Sequence, residues 1–480
     1  MGKGLTDEQL VAELLPELGD DYRVAKSYAR DVPTQSLLML RSLLHQLTAK
    51  IAEQLGSPLT TVNLYDRIED LNRQRLINVR LTRRMHKIRA DGNRGAHPEK
   101  YRLDFSQLIT IAERSVTRCA ELAAELYPVL LKRDAPEYRF VPFDSIAGRE
   151  ICYRAVMEND PQAQVLVGQS LKSKALELRN QEFAAAEKAQ QTVVEHHGSA
   201  ALFAQAAHYF ELAHERLDDG AYEYGVALVN GFQGKAQIER GSELVAKAAK
   251  AEHADAMALY GFWCLTGTKA VAVDLEQAEH YLTLAADKQQ PEAMANLGVL
   301  HYQGGPKGVD KTQAFEFTHK AAQAGYPQAQ YNLQLMLLNG DGCKADPAAA
   351  ERWLAEAAEQ GHLDAMLVRA QHMLSSDELG QDHQLARQYL QEVIRYGHSL
   401  TAMVELALAL ANGAFGEADW PQAVAWLKAA EHRAEQVPED EMARALPTLK
   451  QEFMRHIQSE LEASSDDTGL NGALAQLTSG

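Results

Sequence analysis

Beyond residue 220 the apolar positions recur with a long period. An aromatic residue stands at Tyr281, Phe317, Trp353, Tyr389 and Trp426, 36 or 37 residues apart, and alanines keep the same step at Ala278, Ala314, Ala350, Ala386 and Ala423. A second alanine series runs through Ala256, Ala293, Ala329, Ala365 and Ala402, and an aspartate precedes each aromatic by seven residues, at Asp274, Asp310, Asp346, Asp382 and Asp419. Each period reads as two helices. One begins after the aspartate cap and ends near a glycine, as in DPAAAERWLAEAAEQG; the next runs to a glycine-rich turn, as in QPEAMANLGVLHYQGG. Such a hairpin cannot bury its own apolar face, whereas stacking a second one against it does, with alanines letting the helix axes approach. The pattern therefore predicts an all-α chain ending in a curved α-solenoid of helix-turn-helix repeats of about 36 residues, with the aromatic and alanine series in its core.

Residues 1–140 lack the period. Apolar residues at helical spacing in QSLLMLRSLLHQLTAKIAEQL, a cap at Asn63 or Thr61 before LYDRIEDLNRQ, a third segment from 78 that Pro98 would stop, and FSQLITIAERSVTRCAELAAEL predict a four-helix bundle, with two short helices at 5–30 against it. Five regions are expected: a helical extension at 1–33, the bundle at 34–140, a degenerate repeat with a long-helix connector at 141–220, the solenoid at 221–440, and a C-terminal helix with a disordered tail at 441–480. Gln334 and Ala370 replace the glycines at positions 261 and 298, and Val393 with Ile394 replaces an alanine pair, which predicts looser stacking there.

Charge separates the halves. The 480 residues carry a net −18, but residues 1–140 hold 22 basic and 19 acidic residues and the remainder 26 and 47. Eleven basic and four acidic residues fall between 67 and 102, so Arg80, Arg83, Arg84, Lys87 and Arg94 are candidate nucleic-acid contacts, or a solvated helix face. Within this segment KIRADGNRGAHPEK sets Arg89, Asn93 and His97 four residues apart, on one face of a helix. That face is either a polar clasp, with Asn93 and His97 on helix-end carbonyls and Arg89 on an acid such as Glu69 or Asp70, or a site that handles a phosphate.

Other chemistries find no support in the sequence. The four cysteines form no CxxC pair, and there is no phosphate-binding glycine loop, GxSxG or HExxH, so no metal and no cofactor is expected. His253, His362 and His398 share a repeat position too widely spaced for one ion and read as loop residues. No apolar run is long enough for a membrane span and no secretory signal opens the chain, so a reducing, cytoplasmic setting without membrane contact is expected.

Two resemblances follow from these motifs. AMANLGVLHYQGG followed by GVDKTQAFEFTHKAAQAGYPQAQ resembles the Sel1-like repeat, a relative of the tetratricopeptide repeat, over about 221–435. SLLMLRSLLHQLTAKIAEQLG, NLYDRIEDLNRQRLI and MHKIRADGNRGAHPE resemble the domain of unknown function 4145, placed among HEPN-type helical bundles, over about 34–127. The first implies an adaptor that binds a protein partner on the concave face of its solenoid. The second implies a bundle that pairs with itself as a homodimer or with a second partner and, as the alternative its nuclease relatives offer, a metal-independent ribonuclease acting on RNA in phage defence and regulated by the repeats. Carried over, Arg89 would neutralise phosphate oxygens, His97 would act as general acid or base and Asn93 would hold backbone or ribose. The Arg-to-His spacing here is longer than in those nucleases, and Gly92 and Gly95 are expected to loosen the helix.

Overall fold

The structure, a computed structural model, describes residues 5–57, 59, 63–96, 103–144, 146–188, 197–375, 382–437, 439–463 and 467–478. They form 23 helices and one two-residue strand pair, divided between two compact units: Met1–Ala329 with Asn339–Ala345, and Gln330–Leu338 with Asp346–Gly480.

The first unit opens with β1 (Leu5–Thr6) and the helices α1 (Asp7–Leu14), α2 (Pro16–Tyr28), α3 (Pro33–Gln54), α4 (Leu64–Arg73), α5 (Val79–Ala96) and α6 (Phe105–Leu131), then β2 (Tyr138–Arg139). The starts are chemically marked. Prolines open α2 and α3, Asn63 accepts the Asp66 N–H to begin α4, and Asp104 with Gln107 forms a reciprocal cap on α6. Leu40, Leu44, Ile51, Ile68, Met85, Leu108 and Val116 close one core between α3, α4, α5 and α6, all at or near zero exposure. β1 and β2 pair in parallel, Leu5 with Tyr138 and Thr6 with Arg139, and beside them the buried Asp7 carboxylate accepts from Lys26 (2.5 Å), Tyr22 (2.9 Å) and the Val141 N–H (2.7 Å). A charge so enclosed is tolerated because three donors, one of them a cation, share it.

Gly92 and Gly95 do not loosen α5. The helix runs through both, and a Cβ at Gly92 would sit 2.5 Å from the Arg41 Cβ, one at Gly95 2.4 Å from the Leu37 Cβ. The glycines bring the backbones of α5 and α3 together.

The unit continues with α7 (Ala147–Met157), α8 (Pro161–Lys188), α9 (His197–Ala213) and α10 (Asp218–Val229), and then with the hairpins of α11 (Ile238–Lys250), α12 (Ala254–Thr266), α13 (Leu275–Asp287), α14 (Pro291–Gln303), α15 (Lys311–Gln323) and the start of α16 (Pro327–Asn339). The second unit holds most of α16 and α17 (Pro347–Glu359), α18 (Leu363–Ser375), α19 (His383–Gly397), α20 (Leu400–Ala411), α21 (Trp420–Gln436), α22 (Glu441–Ala463) and α23 (Thr468–Thr478).

The predicted period is carried by identical local devices in both units. Asp274, Asp310, Asp346, Asp382 and Asp419 each accept an N–H in the first turn of the helix they precede. The backbone N–H groups of Asp274, Asp310, Asp346 and Asp419 return to the carbonyls of Cys264, His301, Leu337 and Leu410 near the end of the preceding helix, fixing each loop. Both alanine series are buried, at 0 to 1% exposure.

The aromatic series is not the core position. Tyr281, Phe317, Trp353 and Trp426 are half-buried and only Tyr389 is buried, whereas the following residue, Leu282, Thr318, Leu354, Leu390 or Leu427, is at most 3% exposed. The reason is helical phase: the alanine four residues after the aspartate and the residue eight after it lie about 40° apart on the buried stripe, whereas the aromatic lies about 60° from that alanine and about 100° from that residue, at the edge of the stripe. From that edge Tyr281 meets the Tyr260 ring and Phe317 stacks on His301.

The positions where alanine or glycine is replaced remain buried. Ala370 is fully buried, Val393 and Ile394 are 2% and 7% exposed, and Gln334 is 4% exposed. Nor are residues 468–478 a disordered tail. They form α23, whose Leu470, Ala473 and Leu477 fall on one helical face and bury against the core that holds Trp420, Phe453 and Ile457.

Candidate functional site

The last turns of α5 spread four tasks around one helix. Ile88 fills the bundle core at 1% exposure and the two glycines meet α3. Arg89 and Asn93, one turn apart, share a third face and are 6% and 5% exposed. Asp91, 2% exposed, points to the fourth.

The Arg89 and Asn93 face is spent on the repeats. Arg89 Nη1 donates to the Gln323 carbonyl (2.9 Å) and Asn93 Nδ2 donates to the Ala324 carbonyl. These oxygens lie at the carboxyl end of α15, where the last carbonyls lack intrahelical partners and the helix dipole favours a cation. Gly325 follows at φ +87°, and a Cβ there would come within 2.6 Å of Asn93 Nδ2 and 3.3 Å of Arg89 Nη1. At the same repeat position Glu252, Gln289 and His398 also adopt positive φ, so glycine at 325 answers to the approach of α5 as well as to the turn.

Behind the guanidinium stand Tyr65, whose ring lies 5.2 Å from the Arg89 carbon, and His86, whose Nδ1 accepts from Arg89 Nε (3.4 Å) while Nε2 faces Glu69 (2.8 Å). Burial, and then the Arg89 charge, push the His86 imidazole below its ordinary pKa against the pull of Glu69. A neutral ring suits the geometry: it accepts from Arg89 and donates to Glu69. The Asn93 Oδ1 atom is buried with no hydrogen-bond partner among the described residues.

The clasp expected from the sequence reaches beyond the bundle. Arg89 holds a carbonyl of the repeats, while Glu69 serves His86 and Asp70 serves Arg73 (2.8 Å). His97 lies outside the described residues, as do Pro98 and Thr61. Of the three spaced residues the structure therefore brings together Arg89 and Asn93.

The basic row on α5 is largely committed to acids of the bundle. Arg84 pairs with Glu121 and with Glu125 (3.0 Å), Arg80 with Glu125 (2.7 Å), and Arg94 with Asp91 (3.4 Å). Arg83 and Lys87 are exposed. Counting charge along the chain missed these pairings because Glu121 and Glu125 come from α6, 37 and 41 residues from Arg84 in sequence.

Sequence reasoning also missed Asp91. It accepts from Ser115 Oγ (2.6 Å) and Arg118 Nη1 (2.7 Å), with Arg114 at 3.8 Å. Its signal was present: a lone acid in a basic helix, and Arg114 and Arg118 one turn apart on the helix that follows. Beside it Cys119 is buried, and burial, then the Asp91 charge, push its thiol up to about 12, so it is unreactive at neutral pH.

The repeat histidines serve as caps rather than as ligands. His253 Nδ1 accepts the Ala256 N–H (3.1 Å) and His362 Nδ1 the Ala365 N–H (3.3 Å), but His398 stands one position earlier in the repeat than these two: it closes α19 in the left-handed conformation, and Ser399 takes the cap on Ala402 (3.2 Å). Among the described residues no cluster of histidine, cysteine, aspartate and glutamate could hold a metal ion, and no helix is long and apolar enough to cross a membrane.

Residues 23–129 match the family described as Domain of unknown function (DUF4145), and residues 254–289, 291–326, 327–362 and 400–432 match the Sel1 repeat. The Sel1 matches pass over 363–399, where Ala370 and the Val393–Ile394 pair depart from the repeat. No curated protein matches the chain. Among solved structures, a Sel1 repeat protein from Oxalobacter formigenes is 23% identical over 63% of this chain and 89% of that one, with a TM-score of 0.43. The protective antigen c5321 of uropathogenic Escherichia coli strains, which displays an SLR fold, is 16% identical over 98% and 97%, with a TM-score of 0.33.

Proposed function

We propose that this chain, which carries Sel1 repeats behind an N-terminal DUF4145 domain, is a protein-binding scaffold whose bundle is latched onto its own repeats. The observation that carries the reading is the use of Arg89 and Asn93: both donate to the carboxyl end of α15, and Gly325 leaves room for them. A guanidinium that is 6% exposed and bonded to a carbonyl supports a joint more than a phosphate clamp. Repeats of this kind offer stacked helices as binding surfaces, and Phe262 on α12 and Tyr302 on α14 stand 38% and 41% exposed as contacts for a partner protein.

The test captures partners with the full chain and measures each against Phe262→Ser with Tyr302→Ser. A loss of about tenfold or more in affinity, roughly 1.4 kcal/mol, supports the scaffold. Partners indifferent to these residues count against this surface.

The ribonuclease alternative requires Arg89 to leave Gln323 and His97 to meet it, in one chain or across a homodimer. RNA cleavage in EDTA that disappears in His97→Ala with the fold retained would replace the scaffold reading, and a dimer lost on Arg89→Ala would point the same way. The single-chain latch buries Arg89 without a second copy, so a homodimer of the scaffold would form without Arg89 at its interface and survive Arg89→Ala.

A further inference from the structure

We infer that three arginines gathered on Asp91, where the last turns of α5 pack on the first half of α6, form a binding site for a phosphate monoester. Arg114 and Arg118 stand one turn apart on α6, and Arg94 stands one turn from Asp91 on α5. Arg118 Nη1 lies 2.7 Å from Asp91 Oδ2, Arg94 Nη1 3.4 Å from Oδ1 and Arg114 Nη2 3.8 Å from Oδ1.

The charges of this cluster do not balance. Three guanidiniums share one carboxylate, and among the described residues no other acid pairs with any of them, so two positive charges stand uncompensated. Further along the same two helices the count closes, with Arg80 and Arg84 against Glu121 and Glu125. Lys87, between the two groups and exposed, adds to the unbalanced side. The surplus is thus gathered at one end of the helix pair, which suits one compact anion more than a long polyanion.

The cluster also has a fixed base and free donors. Asp91 is 2% exposed, and its Oδ2 accepts from Ser115 Oγ (2.6 Å) as well as from Arg118. The Arg114 side chain is 47% exposed and makes no hydrogen bond among the described residues, while Arg94 and Arg118 each spend one nitrogen on Asp91. A guanidinium carries five N–H donors in a planar fork that matches phosphate oxygens, so most donors of the cluster remain for a ligand. Like charges one turn apart on a helix disfavour each other, and an anion bound between Arg114 and Arg118 relieves that repulsion. A phosphate monoester brings a charge of about −1.5 to −2 at neutral pH and three acceptor oxygens, which matches the surplus. Asp91 lies about 160° round α5 from both Arg89 and Asn93, so the site does not depend on their contact with α15.

The test uses the full chain at about pH 7.5, above the second phosphate pKa of about 6, with ionic strength balanced by potassium chloride. The probes are O-phosphoserine and adenosine monophosphate, and the controls are serine and cyclic adenosine monophosphate, a diester with one charge. At least one monoester is expected to bind saturably by calorimetry, tighter than about 1 mM, and its control about tenfold more weakly or not at all. Binding of phosphoserine alone identifies a phosphorylated side chain as the source, and binding of adenosine monophosphate alone a nucleotide. Arg114→Gln removes a charge without removing a hydrogen bond and should weaken binding about tenfold or more. Arg83→Gln removes the same charge from an exposed part of α5 outside the cluster and should change binding less than about twofold. The inference is overturned if neither monoester acts beyond potassium chloride, if each control binds as tightly as its monoester, or if Arg114→Gln binds like the wild type. It is also overturned if Arg83→Gln loses as much as Arg114→Gln, or if only an RNA oligonucleotide binds.

Discussion

Two ways of building with helices meet in this chain. In the repeats one residue type does one task five times: an aspartate caps, an alanine allows close packing, and a leucine or threonine fills the core. In the bundle the end of α5 does four tasks once, with Ile88 in the core, glycines against α3, Arg89 and Asn93 on α15, and Asp91 beneath α6. Repetition spreads the load, so the loss of one copy is local. A helix with every face in use has no spare part, and its substitutions should be the more damaging.

The sharpest way to break the comparison is Asp91→Ala. The change leaves Arg118 and the buried Ser115 without the carboxylate that joins them, and removing one partner of a buried pair costs about 3–5 kcal/mol. Asp419→Ala, which removes one cap of five, should cost about 1 kcal/mol. Urea unfolding followed by circular dichroism measures both. Equal losses would mean that α5 is no more critical than one repeat.

Within the repeats, Leu354→Ala is set against Trp353→Ala. Leu354 is fully buried and its truncation should cost about 2–5 kcal/mol. Trp353 is larger but half-buried, and its loss should be the smaller of the two. A melting temperature that falls further for Trp353→Ala would return the aromatic series to the core.

The same contrast explains what could be read in advance. The period, the five aspartate caps and both alanine series were legible because each signal recurs at a fixed interval and chance does not. The aromatic series was legible as a series but misplaced, since a period gives spacing and not which edge of the helix faces inward. In the bundle the helices and the shared face of Arg89 and Asn93 could be read from local pattern. Their partners could not: Gln323 and Ala324 lie more than 230 residues away and offer backbone carbonyls, which every residue has. The role of Gly325 was hidden for the same reason, since a glycine after a helix looks the same whether or not another helix rests on it.

That last point can be isolated by comparing two turns. Gly325 and Gly361 occupy the same repeat position at φ +87° and +90°, but no described atom lies within 4 Å of a Cβ built at Gly361. Gly361→Ala should cost about 1 kcal/mol for its backbone conformation alone. Gly325→Ala should cost that and the clash with Asn93 besides. In an Asn93→Ala background the excess should shrink, giving a coupling of about 0.5–3 kcal/mol in a double-mutant cycle. No coupling would separate Gly325 from the latch.

The smallest effect expected lies in the repeated caps themselves. The Asp274 carboxyl is held below the usual carboxylate range, first by the Gln277 backbone N–H and then by the Gln277 side-chain amide. Since the folded value is the lower one, the charged cap contributes fully above the unfolded carboxylate pKa of about 3.9. Its contribution fades as pH falls through the folded value. Asp274→Ser keeps an N-cap acceptor that does not titrate there. Melting curves at pH 7 and about pH 3.5 should therefore differ slightly less for the variant than for the wild type. Identical acid sensitivity would show that the charge of this cap adds nothing to its hydrogen bond, and the caps would then act through geometry alone.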